Sequence, residues 1–205
     1  MHQSIDFVYK NLGNYPFREV RLHEIPYYQN KFYTYANGIA ISEKEGWYAD
    51  ITNIKERAYI FQSVTSQIIT HWIQTNIPIR NVSGGHMLSK ALPEALGLIV
   101  LRNNMGAEAF QHILKKKKDF YAKEKNNEAN TEPVLLYADD MEYIEPNKGA
   151  VVLFEIIEYI GEKNFINVLH TFLEQNKNTY LTFEDFYTKL KPNISASLQK
   201  VIEEN

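Results

Sequence analysis

The chain has 205 residues, with 22 basic and 25 acidic side chains and a formal net charge of −3. This near balance gives no general attraction to nucleic acid or to anionic membranes. Cysteine is absent, which excludes disulfide frameworks, cysteine-ligated zinc, iron–sulfur clusters and thiol nucleophiles. A metal site would therefore have to use carboxylates and the six histidines, which are His2, His23, His71, His86, His112 and His170.

The first half of the chain mixes helix and strand patterns. Apolar residues at helical spacing predict a helix over 4–12, and alternation predicts a strand over 19–25. Residues 31–42 are aromatic and β-branched with one Asn-Gly break, which predicts strands joined by a turn or a bulge. A sequence typical of a capping box, Asn53 to Glu56, predicts the start of a helix that runs to about Thr75.

The second half is helical in pattern, apart from a polar and irregular stretch over 124–147. A capped short helix begins at Thr182 and ends before Pro192. The other predicted helices cover 86–103, 106–123, 148–160, 162–175 and 195–203. Strands come first and helices after, so the predicted fold class is α+β.

No segment approaches the roughly 18 consecutive apolar residues of a membrane span, and the N-terminus does not have the pattern of a signal peptide. The basic run Lys115–Lys118 fans around a helix without interleaved aromatic residues, so we interpret it as a solvated helix surface. Nucleic acid is accordingly not an expected partner. The usual paired-histidine metal motifs, the nucleophile elbow and the phosphate-binding loop are all absent.

Five segments, in this order and spacing, resemble the catalytic region of the gluzincin (aminopeptidase N-like) zinc metallopeptidases. They are NLGNYPFREVRLHEIP (11–26), NGIAISEKEGWYAD (37–50), VTSQIITHW (64–72), GGHMLSKALPEALGL (84–98) and EYIEPNKGAVVLFEIIEYIGE (142–162). The closest resemblance is to the peptidase-like domains of bacterial ABC-transporter permease fusions. The resemblance implies a thermolysin-like (zincin) core with a small mixed sheet followed by a helical half.

The residues that perform the chemistry of that family are changed here. Its HExxH helix supplies two zinc-binding histidines and a glutamate that activates water, the next helix supplies a third ligand, and a tyrosine stabilises the oxyanion. The resemblance places Ser66, Gln67 and Thr70 at the HExxH positions. It places Lys90 at the third ligand and Pro146 at the tyrosine. The resemblance therefore implies a degenerate zinc site with no catalytic residue and no cofactor.

The substitutions suggest that a lysine has replaced the metal. An ammonium at Lys90 could donate to Ser66, Thr70 and the Gln67 carbonyl. A buried lysine needs a compensating charge, and this hypothesis expects Glu94, one helical turn on, to supply it.

A rewired metal site is the alternative. His86 and Glu94 lie two helical turns apart, and His71 misses the second ligand position by one residue. In this alternative the three residues would be the metal ligands of an active metallopeptidase or another hydrolase with unusual ligands. Pro93 disturbs the helix on which two of them lie.

The expected function is non-catalytic: binding a peptide or protein, or serving as a structural module of a membrane transport assembly. The resemblance implies a location outside the cytoplasm or at a membrane. A groove edge is expected at Tyr33, Tyr35, Gly38 and Ile39, beside the aromatic residues Tyr27, Tyr28 and Phe32.

We expect one peptidase-like domain over 1–205, with a strand-rich lobe over about 1–52 and a helical lobe over about 53–205. Because the family carries an all-β domain upstream of this region, we expect either a fragment of a larger protein or a trimmed relative. A helical interaction protein unrelated to peptidases is a third hypothesis.

Overall fold

The computed structural model describes residues 1–26, 32–35, 37–127, 131–176 and 179–204. It confirms the α+β class, with a small three-stranded sheet and a largely helical remainder.

The chain forms two compact units. The first comprises Met1–Thr75 and Leu96–Leu114, and the second comprises Asn76–Ala95 and Lys115–Asn205. The expected single peptidase-like domain, with its strand-rich lobe and its helical lobe, stays a prediction.

The elements of the first unit follow the predicted order. They are α1 (His2–Asn11), β1 (Arg21–Ile25), β2 (Phe32–Tyr35), β3 (Gly38–Ser42) and α2 (Ile54–Asn76), of which α2 belongs to this unit as far as Thr75. The sheet order is β1-β3-β2, with β1 parallel and β2 antiparallel to the central strand. The predicted helix, strands and Asn-Gly break are therefore confirmed.

Strand β3 is buried along its whole length. Its side chains alternate between the two faces, with Ile39 and Ile41 on one face and the small Gly38, Ala40 and Ser42 on the other. The isoleucines supply apolar area, while the small residues let larger neighbours lie close to the backbone. This strand is therefore the core of the sheet.

The start of α2 differs in detail from the predicted capping box. Asn53 caps the helix as expected, because its Oδ1 accepts from the Lys55 N–H at 2.9 Å. Glu56 does not complete the box. Its Oε2 accepts from the Asp50 N–H at 2.7 Å, which fixes the preceding turn instead.

The second unit is helical in its described part. In addition to both ends of α3 (Leu92–Lys125), it contains α4 (Ala150–Ile160), α5 (Glu162–Gln175), α6 (Phe183–Leu190) and α7 (Ala196–Glu203). Two π-helical segments, Met87–Ala91 and Ile144–Gly149, precede α3 and α4. Short 3₁₀ turns occupy Leu135–Tyr137 and Lys191–Asn193.

The predicted helices are confirmed with small changes at their ends. The helices expected over 86–103 and 106–123 are joined at Gly106, which has a φ of 81° and marks a kink. Gly161 ends α4 with a φ of 86°, a conformation that favours glycine. Thr182 and Asp185 form the predicted reciprocal cap of α6. In the described part of the chain, no helix is both long enough and apolar enough to cross a bilayer.

Four phenylalanines from α5 and α6 centre the core of the second unit. Their rings are fully buried, and Phe186 contacts Phe165 at 5.8 Å and Phe172 at 5.2 Å between ring centroids. The fourth, Phe183, stacks on Tyr187. Aromatic contacts of this kind add to the free energy gained by burial.

Candidate functional site

Ser66, which the resemblance puts at the first zinc-ligand position, is buried on α2. Its hydroxyl oxygen accepts from Gln62 Nε2 at 3.1 Å. A Cβ placed on Gly97 would lie 2.8 Å from this hydroxyl and 2.7 Å from Gln62 Nε2, so the backbone of α3 packs directly against the pair. Helix packing therefore fills the space beside Ser66.

Thr70 and Gln67 are also engaged within the first unit. The Thr70 hydroxyl donates to the Ser66 carbonyl at 2.8 Å, one helical turn back. Gln67 Oε1 accepts from the Thr34 hydroxyl of β2 at 2.5 Å. Gln67, which the resemblance puts at the position of the general-base glutamate, thus forms a helix–sheet contact.

His71 is buried, and both of its ring nitrogens have partners. Nε2 lies 3.1 Å from the Gly38 carbonyl oxygen, which can only accept. This nitrogen therefore carries the proton, and Nδ1 accepts from the Tyr15 hydroxyl at 2.5 Å. Burial lowers the pKa of His71 and raises that of Tyr15, so the neutral forms of both are favoured.

The alternative metal site gains no support from these contacts. His71 is held as described, His86 Nδ1 lies 2.8 Å from Asp139, and Glu94 pairs with Lys117 at 2.7 Å. No group of three or more histidine, aspartate or glutamate side chains that could hold a metal occurs among the residues that the structure describes. Serine, threonine, glutamine and lysine at the resemblance positions do not fit zinc either.

Lys90 does not have the environment that the metal-replacement hypothesis expected. Its side chain is 36% exposed rather than buried, and its ammonium donates to Asp140. This hydrogen bond lowers the pKa of Asp140. The compensating carboxylate is therefore Asp140 and not Glu94. Lys90 and Ser66 belong to different units. The expected position of the Lys90 ammonium, between α2 and the helix that follows it, therefore stays a prediction.

Pro146, which the resemblance puts at the position of the catalytic tyrosine, lies in the second π-helical segment. Its carbonyl oxygen accepts from Lys117 Nζ at 2.8 Å, and the same ammonium pairs with Glu94. Only 11% of the Lys117 side chain is exposed. The interpretation of Lys115–Lys118 as a solvated surface is therefore wrong for Lys117, because its long-range partners were not visible in the sequence.

A second ion pair involves Lys148, in the π-helical segment Ile144–Gly149. The Lys148 ammonium donates to the buried carboxylate of Glu132, which also accepts from the Tyr121 hydroxyl at 2.9 Å. Burial raises the pKa of Glu132, but the hydrogen bonds from Lys148 and Tyr121 outweigh it and leave the pKa below its usual value. Sequence reasoning missed this network, and the polar composition of 124–147 was its only signal.

The expected groove-edge residues lie on two adjacent strands. Tyr33 and Tyr35 are exposed on β2, at the edge of the described sheet, with ring centroids 5.8 Å apart. Gly38 and Ile39 lie in the central strand and pair with neighbours on both sides. A Cβ on Gly38 would lie 2.5 Å from the Tyr35 ring, so the ring requires glycine beneath it. Tyr27 and Tyr28 lie outside the described residues, while Phe32 contacts the ring of Tyr59 on α2.

The side chains of Ser66, Gln67 and Thr70 are thus hydrogen-bonded within the first unit. In the second unit, Lys90 pairs with Asp140 and the Pro146 carbonyl accepts from Lys117. Comparison with protein-family models and with curated proteins finds no match to this chain.

Proposed function

We propose that this chain is a non-catalytic, peptidase-like domain with a thermolysin-like core, which binds a peptide or protein segment and does not cleave it. The observation that carries the proposal is the hydrogen bonding of three side chains on α2. The resemblance puts Ser66, Gln67 and Thr70 at the positions of the zinc ligands and base, and all three side chains make hydrogen bonds within the first unit.

The chemistry of these residues supports the loss of hydrolysis. Serine and threonine hydroxyls are poor zinc ligands at neutral pH because they stay protonated. An amide such as Gln67 cannot remove a proton from water. The Thr34 hydroxyl donates to Gln67 Oε1, which gives the amide a structural role between α2 and β2.

The edge strand β2 supports a binding role. Tyr33 and Tyr35 present two neighbouring rings on a strand that has only β3 as its partner in the described sheet. An extended peptide can add to such an edge through backbone hydrogen bonds, and aromatic side chains beside it provide apolar contact. Tyr33 is 41% exposed and Tyr35 is 38% exposed, so part of each side chain can contact a ligand.

A peptide array of unstructured segments tests the binding role. We expect the wild-type chain to retain a subset of peptides, and the double variant Tyr33→Ala/Tyr35→Ala to lose at least about tenfold in affinity for them, as for aromatic interface anchors. The matched control is Tyr159→Ala/Tyr180→Ala, which removes two exposed tyrosines of the second unit. Failure of the wild-type chain to retain any peptide would contradict the proposal, as would equal losses in the two variants.

A further inference from the structure

The turn between β3 and α2 carries three large apolar side chains on its surface. Trp47 is 51% exposed, Tyr48 is 78% exposed and Ile51 is 65% exposed. Other exposed large apolar residues are spread along the described chain, and no other stretch of five described residues contains three of them. Single exposed apolar residues are ordinary, but three together indicate an interaction site.

Hydrogen bonds fix the backbone that presents these side chains. The Trp47 and Tyr48 N–H groups both donate to the Glu43 carbonyl at 3.0 Å. On the other side of the turn, Asp50 Oδ1 accepts from the N–H and the hydroxyl of Thr52, at 2.9 and 2.6 Å. The three apolar side chains are therefore exposed on a turn whose backbone is fixed by hydrogen bonds.

Gly46 lets the turn pack closely against the sheet. A Cβ at this position would lie 2.6 Å from Ile41 Cγ2, so only glycine lets the turn approach β3 this closely. The backbone of the turn is therefore held on both sides. The cost of ordering this backbone is already met in the free protein.

The side-chain chemistry suits the boundary between water and lipid. Tryptophan and tyrosine combine an apolar ring with one polar group and concentrate at the headgroup level of bilayers. The four residues 46–49 carry no charge, and Ile51 adds a purely apolar contact.

The size of the patch favours a bilayer over a protein. A stable protein interface buries about 800 Å² on each partner over some 20 to 30 residues, with matched shapes. Three side chains on one turn fall short of this, whereas insertion into a headgroup region needs no shape complementarity. Residues 43–57 contain four acidic and three basic side chains, which gives no attraction to anionic lipid. The matching surface is therefore zwitterionic.

We propose that Trp47, Tyr48 and Ile51 insert into the headgroup region of a zwitterionic bilayer, so that the first unit makes a peripheral membrane contact. This contact does not depend on the peptide-binding role of β2, and it uses none of the degenerate zinc positions.

Trp47 provides a direct test, because the sequence has two tryptophans and the other, Trp72, is buried. The Trp72→Phe variant of the full chain is titrated with phosphatidylcholine vesicles. We expect the Trp47 emission to shift to shorter wavelength and the protein to co-sediment with the vesicles. Co-sedimentation of the wild-type chain gives the same information if the variant does not fold.

The triple variant Trp47→Ser/Tyr48→Ser/Ile51→Ser should lose at least about tenfold in vesicle affinity, because affinity follows the apolar area inserted. The control Tyr9→Ser/Tyr159→Ser, at exposed sites elsewhere, should bind as the wild type does. Binding should also persist from about 0.1 to 1 M salt, since no charge pairing is involved.

Three results would overturn the proposal. One is the absence of both the emission shift and co-sedimentation. Another is binding only to anionic vesicles that high salt abolishes. The last is self-association without lipid that the triple variant removes, which would assign the patch to a second copy of the chain.

Discussion

The two units bury different kinds of polar group. In the first unit, the described buried polar residues are hydroxyl, amide and imidazole side chains, namely Ser4, Ser42, Gln62, Thr65, Ser66 and His71. In the second unit they are two glutamates, Glu132 and Glu145. One unit thus relies on neutral hydrogen bonds and the other buries carboxylates.

The two units satisfy these polar side chains in different ways. On α2, hydroxyl and amide side chains have neutral hydrogen-bond partners, as Gln67 has in Thr34. Around the π-helical segments, lysines pair with carboxylates, as Lys148 does with Glu132. The neutral contacts should resist salt, whereas the buried ion pair should be costly to break.

Lys148→Met should have the largest effect on stability. It leaves the Glu132 carboxylate buried without its nearest cation, and breaking such a pair costs about 3 kcal/mol in the free energy of unfolding. Urea denaturation measures the loss. Lys90→Met is the matched control, because the Asp140 partner is well exposed and the expected cost is under about 0.5 kcal/mol.

If the burial of charge is the cause, adding Glu132→Gln to Lys148→Met should recover part of the loss. Equal losses in Lys148→Met and Lys90→Met would remove the contrast between the buried and exposed pairs.

Ser66→His should destabilise the first unit by about 2 kcal/mol, because the backbone at Gly97 already packs against the Ser66 hydroxyl and a larger side chain overfills the space. Thr70→His, at a half-buried position, should cost less. Denaturation of both variants measures the difference. A stable Ser66→His protein would mean that this position is not filled by packing.

Tyr15→Phe should cost about 1 to 2 kcal/mol. It removes the donor to His71 Nδ1 and leaves a buried acceptor without a partner. Tyr9→Phe, at an exposed tyrosine, is the control and should leave the midpoint of thermal unfolding unchanged. A loss of similar size in the control would point to a general effect of removing a hydroxyl.

The stability that His71 gives the first unit and the stability that Glu132 gives the second should be lost in different pH ranges. Burial lowers the pKa of His71 in the folded state, so its contribution is complete above about 6.5, the usual pKa of unfolded histidine, and is lost as pH falls below that value. The slope from one such group is at most about 1.4 kcal/mol for each pH unit.

Glu132 acts at lower pH. Its lowered pKa stabilises the fold above about 4.3, the usual pKa of unfolded glutamate, and this contribution is lost on further acidification. His71→Gln keeps a donor for the Gly38 carbonyl and removes the titration, so it should abolish only the loss that begins near pH 6.5. Persistence of that loss in the variant would assign it to another group.

Local patterns were sufficient to predict most of the elements. Asn-Gly between two β-branched runs predicted the break between β2 and β3, and Gly161 and Thr182 marked helix ends that the structure confirms. Each of these signals depends on the conformation of one residue and its near neighbours, which the sequence contains.

Long-range contacts could not be predicted in the same way. Lys117 looks like its neighbours in a basic run, and only the fold brings it to Glu94 and the Pro146 carbonyl. The π-helical turns also lack a sequence signature of their own. Of the candidate site, α2 could be placed from its pattern, but the partners of Ser66 and Gln67 depend on which helix and strand pack against it.

The central claim is that this chain does not hold a catalytic zinc ion, and metal analysis with a turnover assay on the same purified wild-type sample tests it directly. The sample is saturated with zinc, freed of excess metal and assayed with aminopeptidase substrates. The account predicts much less than one zinc per chain and no turnover. One zinc per chain, together with turnover that a chelator removes and added zinc restores, would contradict it.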